Sequence, residues 1–322
     1  MKIVCMGTGT FGIPTLEALY QHPLHEVVAL VTQPVPQTHT QGKPLPTPEI
    51  VQLAEKNQTP IYHFAKIKSP EAIETLRSFQ ADLFFICDYG QILSQEGIQA
   101  ARLGGLNLHG SLLPKYRGAA PVHWAIYNGD DETGITVIHI TPEMDAGPMV
   151  AWEKVPILPD ETTPELEARL ARIGAPHVLY VIDRMANGED LSQWAVPQDP
   201  ALACGARKLR KQFAQIDWNR SAVEIRNQIR AFEPWPRTFT HWVKTPGKPP
   251  IRLIPHPVPE ILEMPLPENT PPGTILAVGE VLAVATGKGV LGIRLLQPSG
   301  KRPLTIPEFH CGYGIQPGTT FG

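Results

Sequence analysis

Residues 2–21 read KIVCMGTGTFGIPTLEALYQ: an apolar run, a glycine turn, and a stretch with helical spacing. Lys2–Met6 is apolar without alternation, as expected of a strand buried on both faces. Residues 12–21 repeat apolar side chains at helical spacing and carry Pro14 in the first turn, where its missing N–H costs no hydrogen bond. A second apolar run, Glu26–Thr32 (EVVALVT), completes a β-α-β opening. The pattern then recurs, with a helical stretch at 71–79 and apolar strands at 82–87 (DLFFIC), 105–108 and 134–140 (GITVIHI). Strands alternating with helices predict an α/β domain: an open, mostly parallel Rossmann-like sheet with helices on both faces. In such sheets ligands bind beyond the carboxyl ends of the strands.

The turn Gly7-Thr8-Gly9-Thr10-Phe11-Gly12 matches G-x-G-x-x-G between a strand and a helix. A dinucleotide site would end its second strand on an acid to hold the ribose, whereas this strand ends on Thr32-Gln33. The glycines therefore serve a tight turn, or the helix N-terminus serves another ligand.

At 322 residues the chain exceeds one ordinary core, so two domains are expected. No apolar run approaches the ~18–20 residues that span a bilayer, and the N-terminal apolar run is too short for a signal peptide. The expectation is a cytoplasmic protein with no membrane attachment and no protein partner. Cys5, Cys87, Cys204 and Cys311 are scattered, two of them inside apolar strands, which suits free thiols in a reducing compartment. His22 with His25, and His310 with Cys311, lack a second pair at useful spacing, so no metal is expected.

A helix is predicted over 163–187, after which periodicity fades; the domain boundaries are set at 1–190, a linker at 191–206, and 207–322. The last segment reads as a helix over 216–232, capped near Asn219 or Ser221, then short strands at 252–254, 273–278, 281–286 and 292–296, which together suggest a small β-barrel. Charge divides with this organisation. Residues 1–204 hold 13 Lys and Arg against 23 Asp and Glu, net −10, and residues 205–322 hold 15 against 8, net +7. A basic domain joined to an acidic one points to a polyanion such as nucleic acid, or to a solvated surface.

Leu106-Asn107-Leu108-His109-Gly110-Ser111-Leu112-Leu113-Pro114 leaves a strand with an amide and an imidazole two residues apart, hence on one face. His109 can serve as general acid or base, and Asn107 can donate to a developing oxyanion. The strand at 134–140 runs out into Thr141-Pro142-Glu143-Met144-Asp145-Ala146-Gly147, whose Asp145 lies on a turn at the same sheet edge, able to hold a protonated His109 or position a water. Singly, each residue has an ordinary role in a turn or loop. Together they suit acyl transfer through a tetrahedral intermediate, and no serine or cysteine nucleophile with a paired base is evident.

Asn107-x-His109, the following Ser111-Leu112-Leu113-Pro114-Lys115-Tyr116-Arg117-Gly118 and the downstream Asp145 resemble the folate-dependent formyltransferase family. The resemblance implies Asn107, His109 and Asp145 as catalytic residues and 10-formyltetrahydrofolate as formyl donor, with no metal. It implies that Tyr89, Gly90, Gln91, Ile92 and Leu93 wrap the pteridine with backbone groups, that Ser111, Leu112, Leu113 and Pro114 line the same site, and that Thr141 and Met144 lie in the loop closing over the ring. Arg207-Lys208-Leu209, Ile216-Asp217-Trp218, the stretch 230–236 (RAFEPWP) and Pro272-Gly273-Thr274 resemble the family members that formylate an initiator methionyl-tRNA. An oligonucleotide-binding (OB-like) C-terminal barrel is then implied, with Lys43, Arg207, Lys208, Arg210 and Lys211 meeting the tRNA; the +7 charge agrees.

Three features depart from that family's pattern. The loop 34–43 (PVPQTHTQGK) holds no arginine, the glycine turn differs from G-T-P-x-F-A, and Asp88 stands where a small apolar residue is usual, so that a buried carboxylate there would need a partner. Formylation of an amino-sugar nucleotide, or a folate hydrolase-type activity, fits less well than tRNA formylation because of residues 216–236 and the basic C-terminal segment. A non-catalytic RNA-binding relative would have no need to keep all three catalytic residue types together.

Overall fold

The computed structural model describes residues 1–34, 46–257 and 259–322; Lys43 lies outside the described residues. They form two compact units, the first made of Met1–Pro121, Glu132–Pro156 and Glu167–Arg207, the second of Val122–Asp131, Ile157–Leu166 and Lys208–Gly322.

The chain opens as β1 (Lys2–Met6), α1 (Ile13–Gln21), β2 (Glu26–Thr32), α2 (Glu49–Lys56), β3 (Ile61–His63), α3 (Pro70–Ser78), β4 (Leu83–Ile86), α4 (Gln95–Ile98) and β5 (Gly105–His109). There follow β6 (Arg117–Gly118), α5 (Pro121–Asn128), β7 (Glu132–His139), β8 (Met149–Pro156), α6 (Thr163–Ala186) and β9 (Gly205–Ala206). The main sheet has the order β3-β2-β1-β4-β5-β7-β8. Strands β1 to β5 pair in parallel, as their unbroken apolar sequences require. By contrast β7 runs antiparallel to β5, and β8 antiparallel to β7. This antiparallel edge was not legible beforehand, because β8 (MVAWEKVP) has three consecutive exposed residues and no clean alternation.

One face of the sheet buries Val4, Met6, Val31, Phe84, Ile86 and Tyr89 in a common core. Phe84 is wholly enclosed, and truncating such a ring to alanine costs ~3–5 kcal/mol.

Residues 191–206 belong to the first unit rather than serving as a free linker: β9 pairs in parallel with β6, Arg117 opposite Gly205 and Gly118 opposite Ala206. Two 3₁₀ turns, each started by an aspartate side chain accepting a backbone N–H, replace the periodicity that sequence reading looks for.

The second unit contains α7 (Ala222–Ala231), β10 (Thr240–Trp242), β11 (Ile251–Pro255), β12 (Glu260–Leu262), β13 (Ile275–Val278), β14 (Leu282–Ala285), β15 (Val290–Ile293), β16 (Leu295–Pro298), β17 (Leu304–Thr305) and α8 (Ile306–Tyr313). Two four-stranded sheets, β10-β11-β16-β17 and β12-β15-β14-β13, close around one core that includes Trp218, Trp242, Leu253, Leu291 and Phe309. This is the small antiparallel β-barrel expected. The strand expected at 292–296 is interrupted at the exposed Arg294, where the chain leaves one sheet for the other. The helix expected from residue 216 begins only after Ser221, which forms a capping box with Glu224; before it, Asp217 accepts from the backbone and amide of Asn219 in a turn. Among the described residues no helix is long and apolar enough to cross a membrane.

Candidate active site

Strand β5 ends on the pair that its period of two places together. Asn107 is half-buried and His109 is buried, on one face at the carboxyl end. The turn after β7 brings Asp145 to them. Asp145 is left-handed (φ 52), a conformation aspartate tolerates better than most residues. Gly147 is dictated by space, because a Cβ there would fall 1.8 Å from the carbonyl oxygen of His139.

The Asp145 carboxylate accepts the Gly118 N–H at 2.8 Å through Oδ2 and faces the Asn107 amide at 3.5 Å through Oδ1. Nδ1 of His109 lies 3.8 Å from Oδ2. That separation is longer than a hydrogen bond, as contacts between catalytic groups often are before substrate is bound. Nε2 of His109 is 2.9 Å from the carbonyl oxygen of Tyr116. A carbonyl only accepts, so Nε2 carries the hydrogen and Nδ1 is the atom left to exchange a proton beside Asp145.

Two residues outside every motif hold this arrangement. Gln198 donates through Nε2 to the carbonyls of Asp145 and Gly147, both at 2.7 Å, and accepts from Nε of Arg117 at 3.0 Å. Cys204 accepts the Tyr116 N–H on sulfur at 3.2 Å and the Arg117 N–H on its carbonyl at 2.8 Å. The segment read as a linker thus positions both the carboxylate turn and the carbonyl behind His109.

The residues expected to meet the folate donor separate into two groups. Gly90, Ile92 and Met144 are exposed, and Thr141 and Leu112 are half-buried, so these can face a ligand. Ser111 is buried and donates its hydroxyl to the carbonyl of Lys115 at 2.7 Å, shaping the turn that precedes the cis Leu113–Pro114 bond; Leu113 is buried with it, so neither side chain is turned to solvent. Tyr89 and Leu93 are likewise buried. Gln91 bridges the carbonyl of Phe64 and the N–H of Ile67, which leaves its backbone rather than its side chain for recognition.

Two acids near this edge have raised pKa values. Burial lifts Glu167 on α6 to about 7, with a further push from the charge of Asp88. For Asp88 the rise comes from crowding by protein, opposed by the Phe11 N–H and by His109. Its residue surface nevertheless reaches solvent, so the condition under which this carboxylate would need a partner is not met.

His22, His25 and Asp183 offer three ligand atoms within 4.8 Å of one another. Sequence spacing could not reveal Asp183, far along the chain. However, Nδ1 of His22 faces the Leu24 N–H at 3.3 Å and Nδ1 of His25 faces the terminal amine at 3.4 Å. Donors behind both rings place the hydrogens on Nε2, toward Asp183, whereas a metal-bound histidine has an acceptor behind it. The trio is a hydrogen-bonded clamp.

Residues 1–182 match the family model described as formyl transferase, and residues 208–314 match that of the formyl transferase C-terminal domain. The chain belongs to the formyl transferase family. A methionyl-tRNA formyltransferase of Rhodopirellula baltica is 40% identical over 99% of this chain and 96% of its own length. One from Geobacter sulfurreducens is 36% identical over 100% of this chain and 97% of its own. A solved N-formyltransferase of Helicobacter canadensis, in complex with folinic acid and dTDP-3-aminofucose, superposes with a TM-score of 0.62 over 91% of this chain and 98% of its own, at 17% identity, a likeness of fold.

In this formyltransferase the basic run divides between the units, Arg207 closing the first and Lys208, Arg210 and Lys211 opening the second, all four exposed.

Proposed function

We propose that this formyltransferase moves the formyl group of 10-formyltetrahydrofolate to the amino group of methionine carried on initiator tRNA, with Asn107, His109 and Asp145 as catalytic residues. The observation that carries the reading is the convergence of those three side chains at one sheet edge, in a chain that parallels methionyl-tRNA formyltransferases along nearly its whole length.

The amine nitrogen attacks the formyl carbon, forming a C–N bond and a tetrahedral oxyanion; the bond from carbon to N10 then breaks. One proton leaves the amine and one reaches N10, so formamide and tetrahydrofolate form with no net proton change. The Asn107 amide donates to the oxyanion, and its long contact with Asp145 is easily given up. His109 takes the amine proton at Nδ1 and returns it toward N10 while Asp145 stabilises the ring's positive charge. The backbone around Gly90 and the exposed Ile92 and Met144 hold the pteridine. Lys208, Arg210 and Lys211, with Arg207 and Lys43, meet tRNA phosphates.

The test is to incubate the purified chain with 10-formyltetrahydrofolate and either methionyl initiator tRNA or amino-sugar nucleotides. Formylmethionine released by mild alkali from the tRNA arm alone is the expected result. Transfer only to the sugar arm overturns the acceptor assignment, and transfer to neither overturns the reading.

A further inference from the structure

The second strand of a dinucleotide site ends on an acid that holds a ribose, whereas β2 runs out into Gln33. In the first unit this side chain has a partner of its own: Nε2 donates to the carbonyl oxygen of Tyr89 at 2.6 Å. A carbonyl only accepts, so the contact settles which way the Gln33 amide points. An ionised acid at position 33 would set acceptor against acceptor. The turn that follows β4 therefore selects an amide where a nucleotide site selects a carboxylate.

That turn is the proposed pteridine wrap. Asp88 and Gly90 are both left-handed, with φ 51 and 74, and between them the Tyr89 side chain is buried. Backbone of this kind persists where its surroundings hold it. The Thr8 N–H donates to the Asp88 carbonyl at 3.2 Å, Gln33 takes the Tyr89 carbonyl, and Gln91 anchors the far side on Phe64 and Ile67. Gly90 is fitted to Gln33 by space as well, because a Cβ there would stand 2.6 Å from Nε2 of Gln33. The peptide unit is planar, so fixing the Tyr89 oxygen also fixes the direction of the Gly90 N–H.

We infer that Gln33 is a positioning residue of the folate site: its amide sets the Tyr89–Gly90 peptide, the backbone that the pteridine meets, and so acts on folate affinity rather than on the transfer step. This role rests on the function proposed above.

Gln33→Met keeps the length of the side chain and removes its hydrogen-bond donor. It raises the Kd for tetrahydrofolate, and KM for 10-formyltetrahydrofolate, roughly 5- to 10-fold, the size of one lost hydrogen bond. At saturating folate kcat stays within about twofold, and so does KM for methionyl-tRNA. Gln33→Glu turns a carboxylate on the same carbonyl and costs more, roughly 10- to 100-fold in the same two constants. Gly90→Ala crowds the amide and weakens folate binding; adding Gln33→Ala to it costs no more than about twofold further, since both act through one contact. In the ligand-free protein, amide hydrogen exchange across residues 88–93 is faster in Gln33→Met than in the wild type. Wild-type folate affinity or wild-type exchange in Gln33→Met, a loss confined to kcat, or fully additive losses in the double variant overturn the inference. If the wild type itself binds no tetrahydrofolate, the proposed formyl donor fails and this role falls with it. Binding by the wild type with unaltered binding by Gln33→Met fails this role alone.

Discussion

The proposed catalytic edge of the first unit and the C-terminal segment 205–322, net +7, differ in how tightly sequence constrains them. At the edge, Asn107 and His109 are two residues apart on one strand, and that strand's neighbours fix where Asp145 returns. In residues 205–322 net charge fixes nothing by position. Arg220 is committed to Glu224, Arg237 to Glu233, Arg294 to Glu260 and Arg302 to Glu308, while Arg230 donates to the carbonyls of Leu158 and Glu161 inside the fold. Strand geometry assigns chemistry to named atoms; a charge sum only predicts the class of ligand.

The largest effects belong to the edge. His109→Ala is expected to lower formyl transfer by ~10²–10⁴ while folate affinity stays nearly intact. Asn107→Ala follows with ~10²–10³, the loss of one oxyanion donor. Steady-state kinetics beside equilibrium folate titration separates the two roles; unchanged turnover with weakened folate binding in either variant would reassign that residue to the donor site.

Neutralising Arg207, Lys208, Arg210 and Lys211 probes the other side of the comparison. If they meet phosphates, each contact contributes ~0.7–0.9 to the slope of log affinity against log salt, and losing four weakens tRNA binding by up to ~10²-fold at physiological salt. Folate binding should scarcely change. A wild-type salt slope in the variant would show that this run does not touch the nucleic acid.

Gln198→Ala tests the part of the edge that sequence hid. Freed from two carbonyl anchors, the Asp145 turn loosens, and kcat falls roughly 10-fold, a fraction of what a 1 Å misplacement can cost. Equal activity would mean that β5 and β7 alone suffice to place Asp145.

The parallel strands were legible because they are apolar throughout, and Asn107, His109 and Asp145 because period two and turn chemistry point to one edge. Gln198 was not, since it lies 53 residues beyond Asp145 in a stretch whose 3₁₀ turns leave no periodic trace. The short strands β10, β12 and β17 have two or three residues each, too few for a pattern. Gly9 and Asp88 each stood out in the sequence as departures, yet only the folded chain shows that one makes room for the other.

The smallest effects concern stability, and here the two units oppose each other. Glu167 in the first is raised to about 7, chiefly by burial and then by Asp88, whereas His123 in the second is lowered to about 4 by burial. Glu167 favours folding fully below the ordinary glutamate value near 4.5, and that contribution is lost as pH rises to about 7. His123 works in reverse: its contribution is present above 6.5 and is lost as pH falls to about 4. Glu167→Gln fixes the neutral form, so it should add about 1–3 kcal/mol at pH 8, after discounting for solvent, and almost nothing at pH 4. His123→Gln should show the mirror image, with its gain at pH 4 and little at pH 8. Urea unfolding of both variants at the two pH values decides the matter. If either variant shifts stability equally at both, its effect comes from packing rather than ionisation, and the opposition between the units does not hold.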